Sequence, residues 1–162
     1  MYKLKVDNYL NGIFFISLIA LISAFFIEYI LGHQPCNLCL IERIPYFVSI
    51  GLIILNYSFR VNQQFIVLLL ILTFTFSLII SFYHFGIEQG FFEESAVCIL
   101  KNDSNIISKE SLLEQLQVKT VSCRDVTFRI FGFSLTTLNM FINLILILIT
   151  SKIFIDYEKF KK

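Results

Sequence analysis

The chain has 162 residues, 57% of them hydrophobic and only 15% charged, with a formal net charge of +1. Ordinary soluble domains carry about 25% charged residues, so this composition excludes one, and the near-neutral balance offers nothing for a nucleic-acid partner. What few charges exist are clustered, and the gaps between them define the elements.

Lys3 and Lys5 give a basic start, and residues 8–27 then carry no charge. This predicts a first helix over about 9–31. A removable signal peptide has an apolar core of about 7–15 residues and a small-residue cleavage site. This run is longer and no A-x-A follows it, so it reads as a retained anchor helix. A loop over about 32–40 carries QPCNLCLIER, residues 34–43. The next charge-free run, 44–59, is short against the roughly 20 residues a span needs, so Ile41 must join a helix over about 41–57.

The polar link SFRVNQQ (58–64) precedes a charge-free run at 61–87 and a helix over about 64–83. The long loop, about 84–129, holds SKESLLEQLQ (108–117), a short helix that Ser108 can cap. Its Leu112, Leu113 and Leu116 share a face that fits either a membrane surface or a solvated loop. Residues 130–151 form the last charge-free run and the fourth helix, before a basic tail. The expectation is an all-α membrane protein: one domain over 1–162, built as a four-transmembrane-helix bundle.

Four spans put both termini and the 58–64 link on one side. That side holds Lys3, Lys5, Arg60, Lys152, Lys159, Lys161 and Lys162 of the 13 Lys and Arg, in the shorter share of the loops. Both termini are therefore expected to be cytoplasmic. All four cysteines, Cys36, Cys39, Cys98 and Cys123, fall in the two opposite loops. Buried cysteines used for packing would lie in the helices, so this placement points to disulfide chemistry in an oxidising compartment.

A C-x-x-C pair such as Cys36–Cys39 is commonly redox-active. A static disulfide and half of a zinc site are the other readings. Zinc sites pair two such units or add a nearby His, whereas here the other cysteines are isolated, so no metal is expected. If the second helix begins near Leu38, Cys39 lies in its first turn, where the backbone N–H groups favour an anion. Arg43 is four residues on, on the same face, and its guanidinium would favour the Cys39 thiolate; the alternative is an Arg that snorkels to the interface. Pro35 stiffens the approach to Cys36, and Pro45 falls in the early turns of the second helix.

A disulfide between Cys98 and Cys123 would restrict the polar loop by about 3 kcal/mol in the chain-entropy model, a sufficient structural role by itself. Two pairs on one membrane face also allow thiolate–disulfide exchange from one to the other. Electrons taken from thiols need an acceptor. No haem-attachment C-x-x-C-H and no dinucleotide fingerprint is present, which leaves a lipid-soluble quinone at the bilayer edge.

CNLCLIER (36–43) closely resembles the C-x-L-C-x-x-E-R motif of the disulfide-bond formation protein B (DsbB) family. YHFGIEQG (83–90) is similar to the Y-H-x-G-x-E element many members carry ahead of the third cysteine, and CRDVTFRIFGFSLTTLN (123–139) resembles the segment after the fourth. Many members have Trp near positions 128 and 138, where this chain has Phe128 and Leu138. The resemblance spans nearly the whole chain. It implies a protein-disulfide:quinone oxidoreductase of the bacterial inner membrane, with its cysteines on the periplasmic side, that reoxidises a DsbA-like thioredoxin-fold protein and reduces ubiquinone or menaquinone.

By the same resemblance, Cys98 and Cys123 form the disulfide that oxidises the partner, with Cys98 making the mixed disulfide, and Cys36 and Cys39 reoxidise that pair. Cys39 and Arg43 match the quinone-facing cysteine and arginine. His84 matches a histidine near the quinone, or is a satisfied interface His. Glu42 has only a structural role at a helix start, and Glu28 reaches the interface. Alternatives are a specialised member serving one dedicated partner, a membrane protein with static structural disulfides, and a vitamin-K-epoxide-reductase-like enzyme. The position of C-x-x-C after the first helix and ahead of the long loop argues against the last.

Overall fold

The computed structural model describes residues 2–59, 62–94, 98, 122–124, 128–130 and 132–161. Among the described residues, five helices and a small hairpin follow in order: α1 Tyr2–Tyr29, α2 Asn37–Ile41, α3 Ile44–Phe59, α4 Gln63–Glu88, β1 Arg129–Ile130, β2 Phe133–Ser134 and α5 Leu135–Lys161. Four stretches among the described residues are long and apolar enough to cross a membrane: Val6–Tyr29, Asn37–Phe59, Gln63–Glu88 and Leu135–Asp156. The shortest has 22 residues, which at 1.5 Å per residue is about 33 Å against a hydrocarbon core of about 30 Å. The predicted surface helix at 108–117 lies outside the described residues.

The second span is two helices, because Pro45 splits it. Its ring nitrogen cannot donate to the Ile41 carbonyl and its ring would crowd it, so α2 stops at Ile41. Arg43 N–H bonds back only three residues, to Leu40, at 3.2 Å, and α3 restarts with Tyr46 and Phe47 N–H on the Arg43 carbonyl. Counting α2 repairs the span that looked too short from 44–59 and moves its start from about 41 to Asn37, so Cys39 lies inside a helix and not in a loop.

The third span likewise runs five residues past the expected 83, to Glu88. It ends where Gly90 adopts φ 77 and Phe91 N–H reaches back to Gly86 at 2.8 Å, a Schellman ending that only a left-handed residue permits. The fourth helix starts at Leu135 and not 130. Arg129 pairs with Ser134 and Ile130 with Phe133 in an antiparallel hairpin, and Gly132 at φ 87 makes its turn. Ser134 Oγ then caps α5 by accepting the Thr137 N–H at 3.2 Å.

The pair α4–α5 is the most extensive helix contact; α3 packs on α4 and α1 on α3, while α1 and α5 touch only slightly. Leu10, Ile13, Ile53, Leu70, Phe74 and Leu146 fill the core. Phe15, Ile19, Phe76, Ile79, Phe82 and Leu148 point outward, as lipid-facing residues must. Small residues allow close approach, and Ser49 Oγ donates to Ser17 Oγ at 3.0 Å between α3 and α1. At one end of the bundle Tyr57 donates to the Asp7 carbonyl and to Asn11, and Gln63 Nε2 donates to Asp7 at 2.9 Å. The described cysteines collect at the other end.

Candidate active site

Cys36 occupies the N-cap of α2 with an extended backbone, φ −71 and ψ 168, and its Sγ accepts the Cys39 N–H at 3.2 Å. A thiol thus takes the place that Ser or Asp usually fills at a helix start. Sequence spacing pointed to Cys39 as the stabilised thiolate. The structure directs the hydrogen bonds to Cys36 instead. Donation from Cys39, and then from His84, pulls the Cys36 thiol from its ordinary 9.0 down to about 5, against the upward push of burial.

His84 comes from the last turn of α4. Its Nε2 lies 3.5 Å from Cys36 Sγ and its Nδ1 lies 3.0 Å from Glu42 Oε1. A carboxylate only accepts, so Nδ1–H donates to Glu42; Nε2 faces the thiol as a base and, once it has taken the Cys36 proton, donates that N–H back to the thiolate. Thr136 Oγ1, at 3.2 Å, shares the Nδ1 proton, and its own hydroxyl donates to Glu88 at 2.6 Å. The other Glu42 oxygen accepts from Asn139 Nδ2 at 2.9 Å. Asn139 also donates to Ser81 and accepts from the Tyr46 hydroxyl.

Cys98 and Cys123 form a disulfide, and Cys36 and Cys39 are free thiols. The two pairs touch. Cys36, Leu38, Ile87 and Cys123 make one buried cluster, with Cys39, Tyr83 and Cys98 packed on it. Glu94, just past α4, fixes the Cys123 turn by accepting from the Ser122 hydroxyl and, at 3.3 Å, from the Arg124 N–H.

On the opposite side of α2 lies a cavity of about 400 Å³ between α1, α3 and α5. Cys39, Glu42, Arg43, Tyr46, Glu28 and Asn139 line it among apolar side chains such as Ile16, Ile27 and Ile142. Small-molecule pockets have this size and this mixture of an apolar wall and a few polar groups. Arg43 lines it, and its guanidinium pairs with Glu28 of α1 and sits 5.1 Å over the Phe25 ring. His84 does not line the cavity: it stands behind Glu42, on the Cys36 side.

Cys36 Sγ, Cys39 Sγ and a His84 nitrogen lie within 4.8 Å of one another, close enough to surround a metal ion. No further Cys, His, Asp or Glu joins them among the described residues, whereas structural zinc takes four ligands. The set fits thiol chemistry with a base better. The sequence reading missed the tasks of Glu42, Asn139, Thr136 and Tyr46. The signal for Glu42, Asn139 and Thr136 lay in the quoted motifs, which carry all three residues; Tyr46 lies outside them and gave none.

A thiol pair packed against a disulfide, at one end of a bundle of membrane-crossing helices, defines a membrane thiol–disulfide oxidoreductase. The chain belongs to the disulfide bond formation protein DsbB family, whose model matches residues 8–153. It is also similar to an uncharacterized protein of Rickettsia prowazekii (strain Madrid E), 32% identical over 155 residues that cover 90% of this chain and 87% of that protein. Its role is thus in disulfide-bond formation, as a multi-pass membrane oxidoreductase.

Proposed function

We propose that the protein acts as one four-helix membrane unit that moves electrons from a reduced DsbA-like thioredoxin-fold protein, through Cys98–Cys123 and then Cys36–Cys39, to a membrane quinone. The observation that carries this reading is the position of α2. One of its cysteines packs against the Cys98–Cys123 disulfide, and the other lines an apolar cavity bordered by Arg43. Both termini are cytoplasmic in this reading, and the site end faces the periplasm across a bacterial inner membrane.

The partner's thiolate attacks the Cys98–Cys123 bond at Cys98, and a second partner thiolate releases it, leaving two cysteine thiols and an oxidised partner. One of those thiols then attacks the Cys36–Cys39 disulfide, restoring Cys98–Cys123 and leaving Cys36 and Cys39 reduced. A bound quinone supplies a two-electron sink. Cys39 and Arg43 face it, the first as donor and the second as a fixed positive charge, while His84 receives the Cys36 proton at Nε2. The purified protein should reduce a ubiquinone or menaquinone analogue when given a reduced thioredoxin-like donor, and Cys36→Ser or Cys39→Ser should abolish turnover. Quinone reduction that persists in both variants would sink the assignment.

A further inference from the structure

Oxidation of the Cys36–Cys39 pair breaks two S–H bonds, forms one S–S bond, and releases two electrons and two protons. An acceptor with two carbonyl oxygens takes both electrons and one proton on each oxygen. Cys39 lines the cavity and can release its proton there. Cys36 cannot: it is 5% exposed, it does not line the cavity, and its sulfur faces His84. Its proton needs a carrier.

One residue belongs to both compartments. Glu42 meets His84 Nδ1 through Oε1 at 3.0 Å and is itself part of the cavity wall. The path has two links, Cys36 Sγ to His84 Nε2 at 3.5 Å and His84 Nδ1 to Glu42 Oε1. Asn139, anchored by Tyr46 and Ser81, holds Oε2 and so fixes the carboxyl group between imidazole and cavity. Thr136 also meets His84 Nδ1 and the cavity, but a hydroxyl already donating to Glu88 does not store a proton as a carboxyl group does. Glu88 faces His84 too, 4.0 Å from Nε2, but it does not line the cavity.

We propose that Glu42 is the proton carrier of the site: it takes the proton that Cys36 gives up, by way of His84, and delivers it to an acceptor oxygen in the cavity. This rests on the reading that the cavity takes a quinone. The proton leaves Sγ for Nε2, the Nδ1 proton passes to Oε1, and the carboxyl group releases it to the acceptor. The electrons travel separately, through the sulfur of Cys39.

The test uses the full chain in lipid nanodiscs with a short-chain ubiquinone. Glu42→Gln should lower kcat for quinone reduction about 100-fold, the usual scale of a lost general acid, while the first exchange between donor and Cys98–Cys123 keeps its rate. Glu42→Asp retains a carboxyl group and should recover most of the loss. Because Gln sets an amide N–H against Asn139 or His84, the melting temperature of each variant is compared with wild type. Infrared difference spectra of the quinone-free protein, oxidised against reduced, should show a carboxyl C=O signal that Glu42→Gln removes and Glu88→Gln keeps. Wild-type kcat in Glu42→Gln, or a carboxyl signal unaffected by it, overturns the carrier while leaving the quinone reading intact. A wild-type protein that reduces no quinone overturns that reading instead.

Discussion

His84 Nε2 and Cys36 Sγ, 48 residues apart in sequence, lie 3.5 Å apart at the site end of the bundle. With the Cys39 thiol and N–H on the same sulfur, this contact makes Cys36 the low-pKa thiol of the pair. The charged and titratable groups around it are Cys39 on its own helix, Glu42 just after that helix, and His84 and Glu88 on α4. Ultraviolet thiolate absorbance of the reduced protein, with Cys36→Ser as the blank, should show a midpoint near 5 where an ordinary thiol has 9.0. Both donors stabilise the thiolate, so Cys39→Ala and His84→Asn should each move the midpoint upward, the first by more. The folded value lies below the unfolded one, so the thiolate's contribution to stability is complete above pH 9.0 and is lost as pH falls towards 5. A midpoint near 9 in wild type would refute the arrangement.

The Glu28–Arg43 pair binds α1 to the start of α3, with side chains only 21% and 13% exposed. Such a pair is too buried to behave as a surface ion pair, and removing one partner strands the other. Glu28→Gln and Arg43→Met should each destabilise the fold, and the double variant should lose less than the sum of the two. The coupling should be about 1–3 kcal/mol, the range for contacting residues, read from unfolding in mixed micelles. Strict additivity would place the two side chains apart. Arg43→Met should also raise KM for the quinone, since it removes the one Lys or Arg among the residues that line the cavity.

The spans were legible because charge gaps are a one-dimensional signal: a run without Asp, Glu, Lys or Arg is a span wherever its neighbours lie. Their ends were less so. Pro45 was visible, yet reading it as a break that adds α2 to the span requires knowing that the Ile41 carbonyl is its target. Arg43 was placed beside Cys39 by i,i+4 spacing, and both line the cavity, but its ion pair with Glu28 of α1 is a contact between helices that spacing does not carry. His84 and Glu42 lie 42 residues apart, and only the packing of the second span on α4 brings them to 3.0 Å. Motif likeness named both residues, but it could not tell a quinone contact from a base held behind the wall.

Gly86 has a reason that its helix does not reveal. A Cβ there would lie 2.1 Å from Phe92 Cδ2. The Phe92 ring folds back over α4 to stack on Tyr83 at 5.6 Å and steers the chain towards Glu94 and the Cys123 turn. Gly86→Ala should therefore cost stability despite Ala's better helix propensity, by about 1–3 kcal/mol as in other overpacked sites. Phe92→Ala added to Gly86→Ala should restore most of that loss, because the clash is then gone. Calorimetric melting of the single and double variants decides it; a stabilised Gly86→Ala would show that Phe92 yields at no cost.

Asn139 serves four groups at once: Glu42 and Ser81 through its amide protons, Tyr46 and Asn143 through its oxygen. Hydrogen bonds between membrane helices contribute only about 0.6 kcal/mol each on average, because the unfolded chain in lipid finds other partners. Tyr46→Phe breaks one of the four and should cost about that much. Asn139→Ala breaks all of them and leaves a buried Glu42 oxygen without its donor, so it should cost about 2–3 kcal/mol, still less than four fully unsatisfied groups would. Asn143 keeps its bond to the Asn139 backbone carbonyl at 2.9 Å in either variant, which limits the loss. Unfolding midpoints in mixed micelles should thus rank wild type, Tyr46→Phe and Asn139→Ala in falling order. Equal costs for the two variants would mean that the Tyr46–Asn139 bond carries all the stability that the Asn139 side chain contributes.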